Sequence, residues 1–307
     1  MKRIISILLL AALLISAACA ENVVQVNTEL EGHETQYRIY DQALYEAPCD
    51  HAGQVVKIKY TSHVYGEKDY KRYVNVYLPY GYDENGTDRY PIIYFFHGNG
   101  GDQTTLFGNP ATMNAFDHMI ENGEMPACIL VAPTYIYDVR KNASDNDGFL
   151  REMREEIMPL VESTYRTYAE TADEAGFTAS RSMRAICGFS RGGYMTWTVM
   201  PGMADYARTF LPFSYFELKD AVAAIEMVME GAYADDLFIY ACSGGPEDSA
   251  AYTGGVQLAQ AMLNKEYISF GSNFAENNFF FLASDNPHKD MCSRYYLYNA
   301  FLDGLFQ

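Results

Sequence analysis

The sequence predicts an α/β domain, a mostly parallel, doubly wound sheet between helices with an antiparallel hairpin at its N-terminal start. Three observations carry this. Continuous apolar runs recur at residues 92–96, 128–132, 185–188, 237–242 and 279–283, and runs without alternation suit strands covered on both faces. Stretches with helical spacing separate these runs, giving the strand–helix order of a doubly wound domain. Ahead of them, two segments alternate apolar and polar residues, as half-buried antiparallel strands do.

Taken in order, the first twenty residues stand apart. Lys2 and Arg3 precede an apolar run over 4–15, and Ala18-Cys19-Ala20 closes it with small residues. This is the pattern of a secretory signal peptide, and it is short for a membrane span. A lipoprotein acylated at Cys19 is the alternative reading, although Ser16 stands where such a signal wants an aliphatic residue. Residues 21–307 are then read as a single domain, with no linker, repeat or low-complexity stretch and no run near 18 apolar residues.

Residues 21–50 show no clear period. Val56, Ile58 and Tyr60 alternate with Lys57 and Lys59, and Val74, Val76 and Leu78 alternate with Asn75 and Tyr77 ahead of Pro79. Gly66, Glu67 and Lys68 lie between the two segments and predict a hairpin. The strongest helix spans 149–168, where Leu150, Met153, Ile157, Leu160, Val161, Tyr165 and Tyr168 recur at steps of three and four. Shorter helices are expected at 112–122, 221–229, 256–263 and 295–305, and a further strand at 210–213.

A hydrophobic content of 49% excludes a disordered chain. Without Lys2 and Arg3, 20 basic residues face 40 acidic ones. Such a surface repels nucleic acid and anionic lipid and favours neutral partners. Solubility outside the cell explains the charge equally well. Beyond the leader there are five cysteines, Cys49, Cys128, Cys187, Cys242 and Cys292, without Cys-x-x-Cys spacing. Zinc and redox motifs are therefore not expected, and the odd number leaves at least one free thiol. A bridge from Cys49 to another cysteine stays open at this point.

The chemistry concentrates in Gly188-Phe189-Ser190-Arg191-Gly192, set between a predicted strand and a helical run. This is the nucleophile-elbow pattern, a serine on a turn sharp enough to need glycine beside it. A serine hydroxyl needs a base within hydrogen-bond reach and a third group to orient that base. In such folds the acid and then the histidine follow the serine. Of six histidines only His288 lies after Ser190, in a loop just past the last predicted strand. The acid is expected after the strand 237–242, in Ser243-Gly244-Gly245-Pro246-Glu247-Asp248; Asp248 is favoured, with Glu247 as the alternative. Asp235 and Asp236 precede that strand, at the wrong end of the sheet, and Asp285 and Asp290 read as solvated loop charges.

A tetrahedral intermediate also needs donors for its oxyanion. The backbone amide of Arg191 is one. The amide of Asn99 is the other, in the loop His97-Gly98-Asn99-Gly100-Gly101, where His97 is read as a brace. No metal or organic cofactor is required.

Together these pieces resemble carbohydrate esterase family one, the secreted feruloyl and acetylxylan esterases within the esterase D-like α/β-hydrolases. The matching segments are Tyr94 to Gly101, Arg154 to Glu162, Tyr165-Arg166-Thr167-Tyr168, Gly188 to Gly193 with Trp197, Cys242 to Asp248, and the His288 loop, across roughly residues 54–307. The resemblance implies the α/β-hydrolase fold and a Ser190–Asp248–His288 triad, with Asn99 and Arg191 holding the oxyanion. Two departures stand out. Arg191 occupies a position where methionine is frequent. Ser214-Tyr215-Phe216-Glu217 replaces Ser-Gly-Asp plus an aromatic, which bears on the aromatic-acyl pocket.

The expectation is an exported esterase acting on feruloyl or acetyl groups of plant cell-wall polysaccharide. Acyl transfer, a non-carbohydrate ester such as a siderophore, and a catalytically silent carbohydrate-binding protein are the alternatives.

Overall fold

The computed structural model describes residues 22–26, 35–138 and 141–307. Residues 1–21, Cys19 included, lie outside them. Strands β1 (Asn22–Val26) and β2 (Thr35–Ile39) pair antiparallel, and the short helix α1 (Gln42–Tyr45) follows. The predicted hairpin is β3 (Gln54–Ser62) with β4 (Tyr70–Leu78). Then come β5 (Ile92–Phe96), α2 (Pro110–Glu121), β6 (Ile129–Ala132) and a small antiparallel pair, β7 (Ile136–Asp138) and β8 (Ala143–Ser144). Helices α3 (Asn146–Glu152) and α4 (Met158–Thr164) are joined by a π turn at Met153–Ile157, and α5 (Glu174–Ala179) follows. The chain continues through β9 (Arg184–Phe189), α6 (Arg191–Val199), β10 (Thr209–Phe213), α7 (Leu218–Met229), β11 (Phe238–Ser243), α8 (Ser249–Leu263), β12 (Phe279–Ala283) and α9 (Ser293–Leu302).

Eight strands form one sheet in the order β12-β11-β10-β9-β5-β6-β4-β3. The five pairings from β12 to β6 are parallel, and β4 joins β6 and β3 antiparallel. Strand alternation sends side chains to two separate cores. Ile92, Tyr94 and Phe96 pack with Phe149, Met153, Met195, Trp197, Ile225 and Leu258 on one face. Ile93 and Phe95 pack with Phe116, Met119, Tyr296, Leu297 and Phe301 of α2 and α9 on the other. Each such side chain, fully buried, contributes about 1.5–3 kcal/mol. This three-layer arrangement is the α/β-hydrolase fold.

A buried ion pair sets the base of the central strand. Glu162 of α4 accepts from Arg184 Nε at 2.8 Å and from Nη2 at 2.7 Å, with both side chains shut off from solvent. Two charges there are tolerable because each meets the other in bidentate geometry. Tyr94 Oη donates to the same carboxylate at 3.0 Å, so β5, β9 and α4 share one anchor.

One expectation needs correction and one open question is settled. The helix predicted for 149–168 starts at Asn146, passes through the π turn and stops at Thr164. Pro159, with no N–H and a ring that would strike the carbonyl of Glu155 in a regular α-helix, sits just past the widened turn. Tyr165 is extended, and the strand-like pairing of Tyr90 with Thr167, with Tyr90 N donating to Arg166 O at 2.9 Å, takes the chain out of the helix. All five cysteines of the described residues are free and buried, so Cys49 forms no bridge.

Candidate active site

Ser190 sits between β9 and α6 with φ 55° and ψ −118°, a left-handed conformation that costs a non-glycine residue about 1–3 kcal/mol. Two backbone bonds hold it there. Its N–H donates to Phe213 O at 2.8 Å, and its carbonyl accepts from Tyr194 N at 3.0 Å. The turn closes only over glycine: a Cβ on Gly192 would stand 2.0 Å from Phe96 O, and one on Gly188 would stand 2.4 Å from Gly192 O. The first amides of α6, with the positive end of the helix dipole, therefore lie beside the hydroxyl.

The His288 loop and the Gly244–Asp248 loop leave the carboxyl ends of β12 and β11, where a doubly wound sheet gathers its functional groups. His288 Nε2 lies 2.9 Å from Ser190 Oγ, and its Nδ1 lies 2.6 Å from Asp248 Oδ1. Asp248 is buried, and its second oxygen accepts from Gly244 N at 2.9 Å. A carboxylate can only accept, so Nδ1 carries the proton and the Nε2 lone pair faces the hydroxyl. The bond to Asp248 raises the His288 pKa above its ordinary 6.5, while partial burial pulls the other way. Phe189 backs the imidazole, with ring centres 4.8 Å apart.

Two cavities meet at Ser190. One, of about 880 Å³, is lined by Asn99, Ser144 to Asp147, Arg191, Tyr194 and Tyr215. The other, of about 1020 Å³, runs past His288, Phe216, Tyr252 and Pro246. Behind the first, His97 braces the Asn99 loop. Its Nδ1 donates to Gly98 O at 2.8 Å, and its Nε2 accepts from Thr134 Oγ1 at 2.7 Å. Tyr135 stacks on it at 4.3 Å and donates to the carbonyl of His97 at 3.0 Å. Burial lowers the pKa of His97 and so keeps the ring neutral, as a brace of this kind requires.

Residues 67–269, more than half of the chain, match the model of the family named Esterase. The chain belongs to the esterase family. Endo-1,4-beta-xylanase Y of Acetivibrio thermocellus is 36% identical over an alignment of 265 residues that covers 83% of this chain and 23% of that protein. Endo-1,4-beta-xylanase/feruloyl esterase of Xylanibacter ruminicola is 27% identical over 48% of this chain and 21% of its own length. The esterase thus spans less than a quarter of the curated relatives it matches. Among solved structures, a mutant of the feruloyl esterase module from Clostridium thermocellum complexed with sinapinate superposes with a TM-score of 0.74 at 32% identity, covering 88% of this chain and 95% of that one. A carbohydrate esterase family one ferulic acid esterase of Anaeromyces mucronatus, in complex with ferulic acid, shares the fold at a TM-score of 0.62 and 19% identity, over 85% of this chain and 94% of that one.

Within this esterase, Ser190, His288 and Asp248 come together in one hydrogen-bonded line, and Asn99 and Arg191 line a cavity with Ser190. Glu247 is exposed, next to the buried Asp248. Arg191 turns its guanidinium to the cavity wall, where Nη2 donates to Ser144 Oγ at 3.0 Å. Asp290 is exposed, in keeping with its reading as a loop charge, but one face of its carboxylate turns toward the Gly98 backbone. Its Oδ1 lies 2.8 Å from the place a Cβ on Gly98 would take, and partial burial raises its pKa. Tyr135, Thr134 and the β7–β8 pair carried no motif in the sequence. Their positions rest on contacts distant in sequence, such as Thr134 Oγ1 with His97 Nε2 and Ser144 Oγ with Arg191 Nη2.

Proposed function

We propose that the chain is an exported serine esterase that hydrolyses feruloyl-type esters on plant cell-wall polysaccharide. The observation that carries the reading is the unbroken line Ser190 Oγ–His288 Nε2–Asp248, at 2.9 and 2.6 Å, on a strained elbow. Ser190 attacks the ester carbonyl while His288 takes its proton, and Asp248 holds the imidazolium that results. The backbone N–H groups of Asn99 and Arg191 donate to the carbonyl oxygen as negative charge develops on it. His288 then protonates the departing sugar alcohol, and a water repeats the sequence to release the acid.

The departing oxygen must face His288 Nε2, which assigns the sugar to the cavity lined by His288 and the acyl group to the cavity beside Asn99 and Arg191. Tyr194 and Tyr215 stand edge to face there at 5.3 Å, and Asn146 Nδ2 donates to Tyr194 Oη at 2.9 Å. An aromatic acyl group with oxygen substituents fits such a wall; an acetyl group would leave most of the cavity to water. The name of one relative, which pairs xylanase with feruloyl esterase, and that of the solved feruloyl esterase module complexed with sinapinate support the same substrate class. Residues 21–307 form the catalytic domain in this reading, and the leader directs export. No helix among the described residues is long and apolar enough to cross a membrane.

The test is release of ferulate from methyl ferulate and from feruloylated xylo-oligosaccharide, beside acetate release from acetylated xylan. The account expects ferulate to be the preferred product and Ser190→Ala to lower kcat by about 10⁴–10⁶. Preference for the acetyl ester would overturn the substrate, and undiminished hydrolysis by Ser190→Ala would overturn the site.

A further inference from the structure

Outside the active site, the segment after α1 is tied to α2 contact by contact. Asn114 Nδ2 donates to Glu46 O at 2.8 Å, and Gly53 N donates to Asp117 Oδ1 at 2.8 Å. Between these ties, Cys49, His118 and Glu121 bring a thiol, an imidazole and a carboxylate together, with ligating atoms all within 4.8 Å of one another. Cys49 Sγ lies 3.3 Å from Glu121 Oε2, and His118 Nδ1 lies 3.9 Å from the same oxygen. Metal bonds of about 2.0–2.3 Å at tetrahedral angles separate ligand atoms by roughly 3.3–3.8 Å. The two edges to Glu121 are close to that figure, and the edge between thiol and imidazole is within 4.8 Å.

Two outer contacts set the ligands in the form an ion needs. Ala47 O lies 3.2 Å from His118 Nε2. A carbonyl only accepts, so Nε2 carries the hydrogen and the Nδ1 lone pair points toward the thiol and carboxylate. A histidine ligand is commonly fixed by a hydrogen bond of this kind. His51 Nδ1 lies 2.7 Å from Glu121 Oε1, which occupies that oxygen and leaves Oε2 to Cys49 and His118. Cys49 is buried and unbridged, and His118 and Glu121 stand three apart on one face of α2.

We propose that Cys49, His118 and Glu121 form a structural site for a divalent transition-metal ion of the zinc class, with water as the fourth ligand and His51 orienting the carboxylate. Sulfur, nitrogen and oxygen donors together select such an ion over magnesium or calcium. Binding releases the Cys49 thiol proton to solvent and forms the metal–thiolate bond. The ion clips the loop 46–53 onto α2. It takes no part in ester cleavage, because Ser190, His288 and Asp248 make their contacts elsewhere. The absence of Cys-x-x-Cys spacing does not bear on this site, whose ligands come from segments about seventy residues apart in sequence.

The experiment strips the full chain with chelator and titrates it with Zn²⁺ and, separately, Co²⁺. The expected result is one ion per chain and, at a hundred-fold excess of Zn²⁺ over Kd, a rise of about 5 °C in Tm. Co²⁺ should give a thiolate-to-metal charge-transfer band. Cys49→Ser abolishes that band, and Cys49→Ser and Glu121→Gln each weaken Zn²⁺ binding about 100-fold or more. Because Glu121 is exposed, Glu121→Gln keeps the fold and serves as the control if Cys49→Ser misfolds. Hydrolysis of a small ester should not change when the ion is removed. No saturable binding, a charge-transfer band that survives Cys49→Ser, or wild-type affinity in Glu121→Gln would each overturn the proposal.

Discussion

Replacing Asp248 with asparagine tests the site at the atom level. Asp248 Oδ2 accepts from Gly244 N at 2.9 Å, and Oδ1 accepts from His288 Nδ1 at 2.6 Å. An asparagine has only one accepting atom, and the Gly244 N–H, fixed in the backbone, claims it. The amide nitrogen must then face His288 as a donor, which forces Nδ1 to accept and moves the ring proton to Nε2. That proton points at Ser190 Oγ, where the lone pair is needed. Shape and volume are nearly unchanged, so the loss is one of tautomer. A wrong-tautomer triad loses about 10⁴ in kcat, or about 5 kcal/mol of transition-state stabilisation. The assay is kcat on methyl ferulate, with circular dichroism and Tm to show that the fold is kept and Glu247→Gln as the neighbouring control. An Asp248→Asn enzyme within ten-fold of wild type, or an equal loss in Glu247→Gln, would refute this reasoning.

Three further predictions concern pH and packing. His288 must be neutral to act as base, and its bond to Asp248 raises its pKa, so kcat/KM should fall on the acid side with an apparent pKa above 6.5; a limb below 6.5 would contradict this. The linked effect on stability has the opposite sense. A raised folded-state pKa contributes stability that is fully present below about 6.5 and is lost as pH rises through the folded value, so the Tm advantage of wild type over His288→Gln should shrink with rising pH. In Gly192→Ala the new methyl would meet Phe96 O at 2.0 Å and His97 O at 2.8 Å, both backbone atoms. The variant should lose about 1–3 kcal/mol in urea unfolding and at least ten-fold in kcat, because β5 and the Asn99 loop must move away from α6. Unchanged stability and rate would remove the close approach from the account.

The sequence showed the parts of this protein whose causes are local. Strands buried on both faces, such as Ile92–Phe96, appear as unbroken apolar runs because helices cover both sides. The elbow was readable because only glycine admits the approach of Phe96 O to Gly192. His288 could be found because no other histidine follows Ser190. Features made by long-range convergence left no such trace. Arg38 of β2 donates its backbone N–H to Asn299 Oδ1 of α9 at 2.9 Å across the length of the chain, and nothing near Arg38 in sequence announces that partner. The Cys49–His118–Glu121 cluster and the position of Asp290 against Gly98 arise in the same way. The end of α4 was misplaced for a different reason. Tyr165 and Tyr168 continue the helical spacing, yet pairing between Tyr90 and Thr167 outweighs it.

The central claim is that the Ser190 hydroxyl is the nucleophile, and covalent trapping tests it most directly. The enzyme is treated with a fluorophosphonate, digested and examined by mass spectrometry. The account predicts one adduct per chain, on the peptide containing Ser190, with labelling slowed at low pH as His288 becomes protonated. An intact enzyme that hydrolyses its ester but carries the label on another residue, or on none, would contradict it.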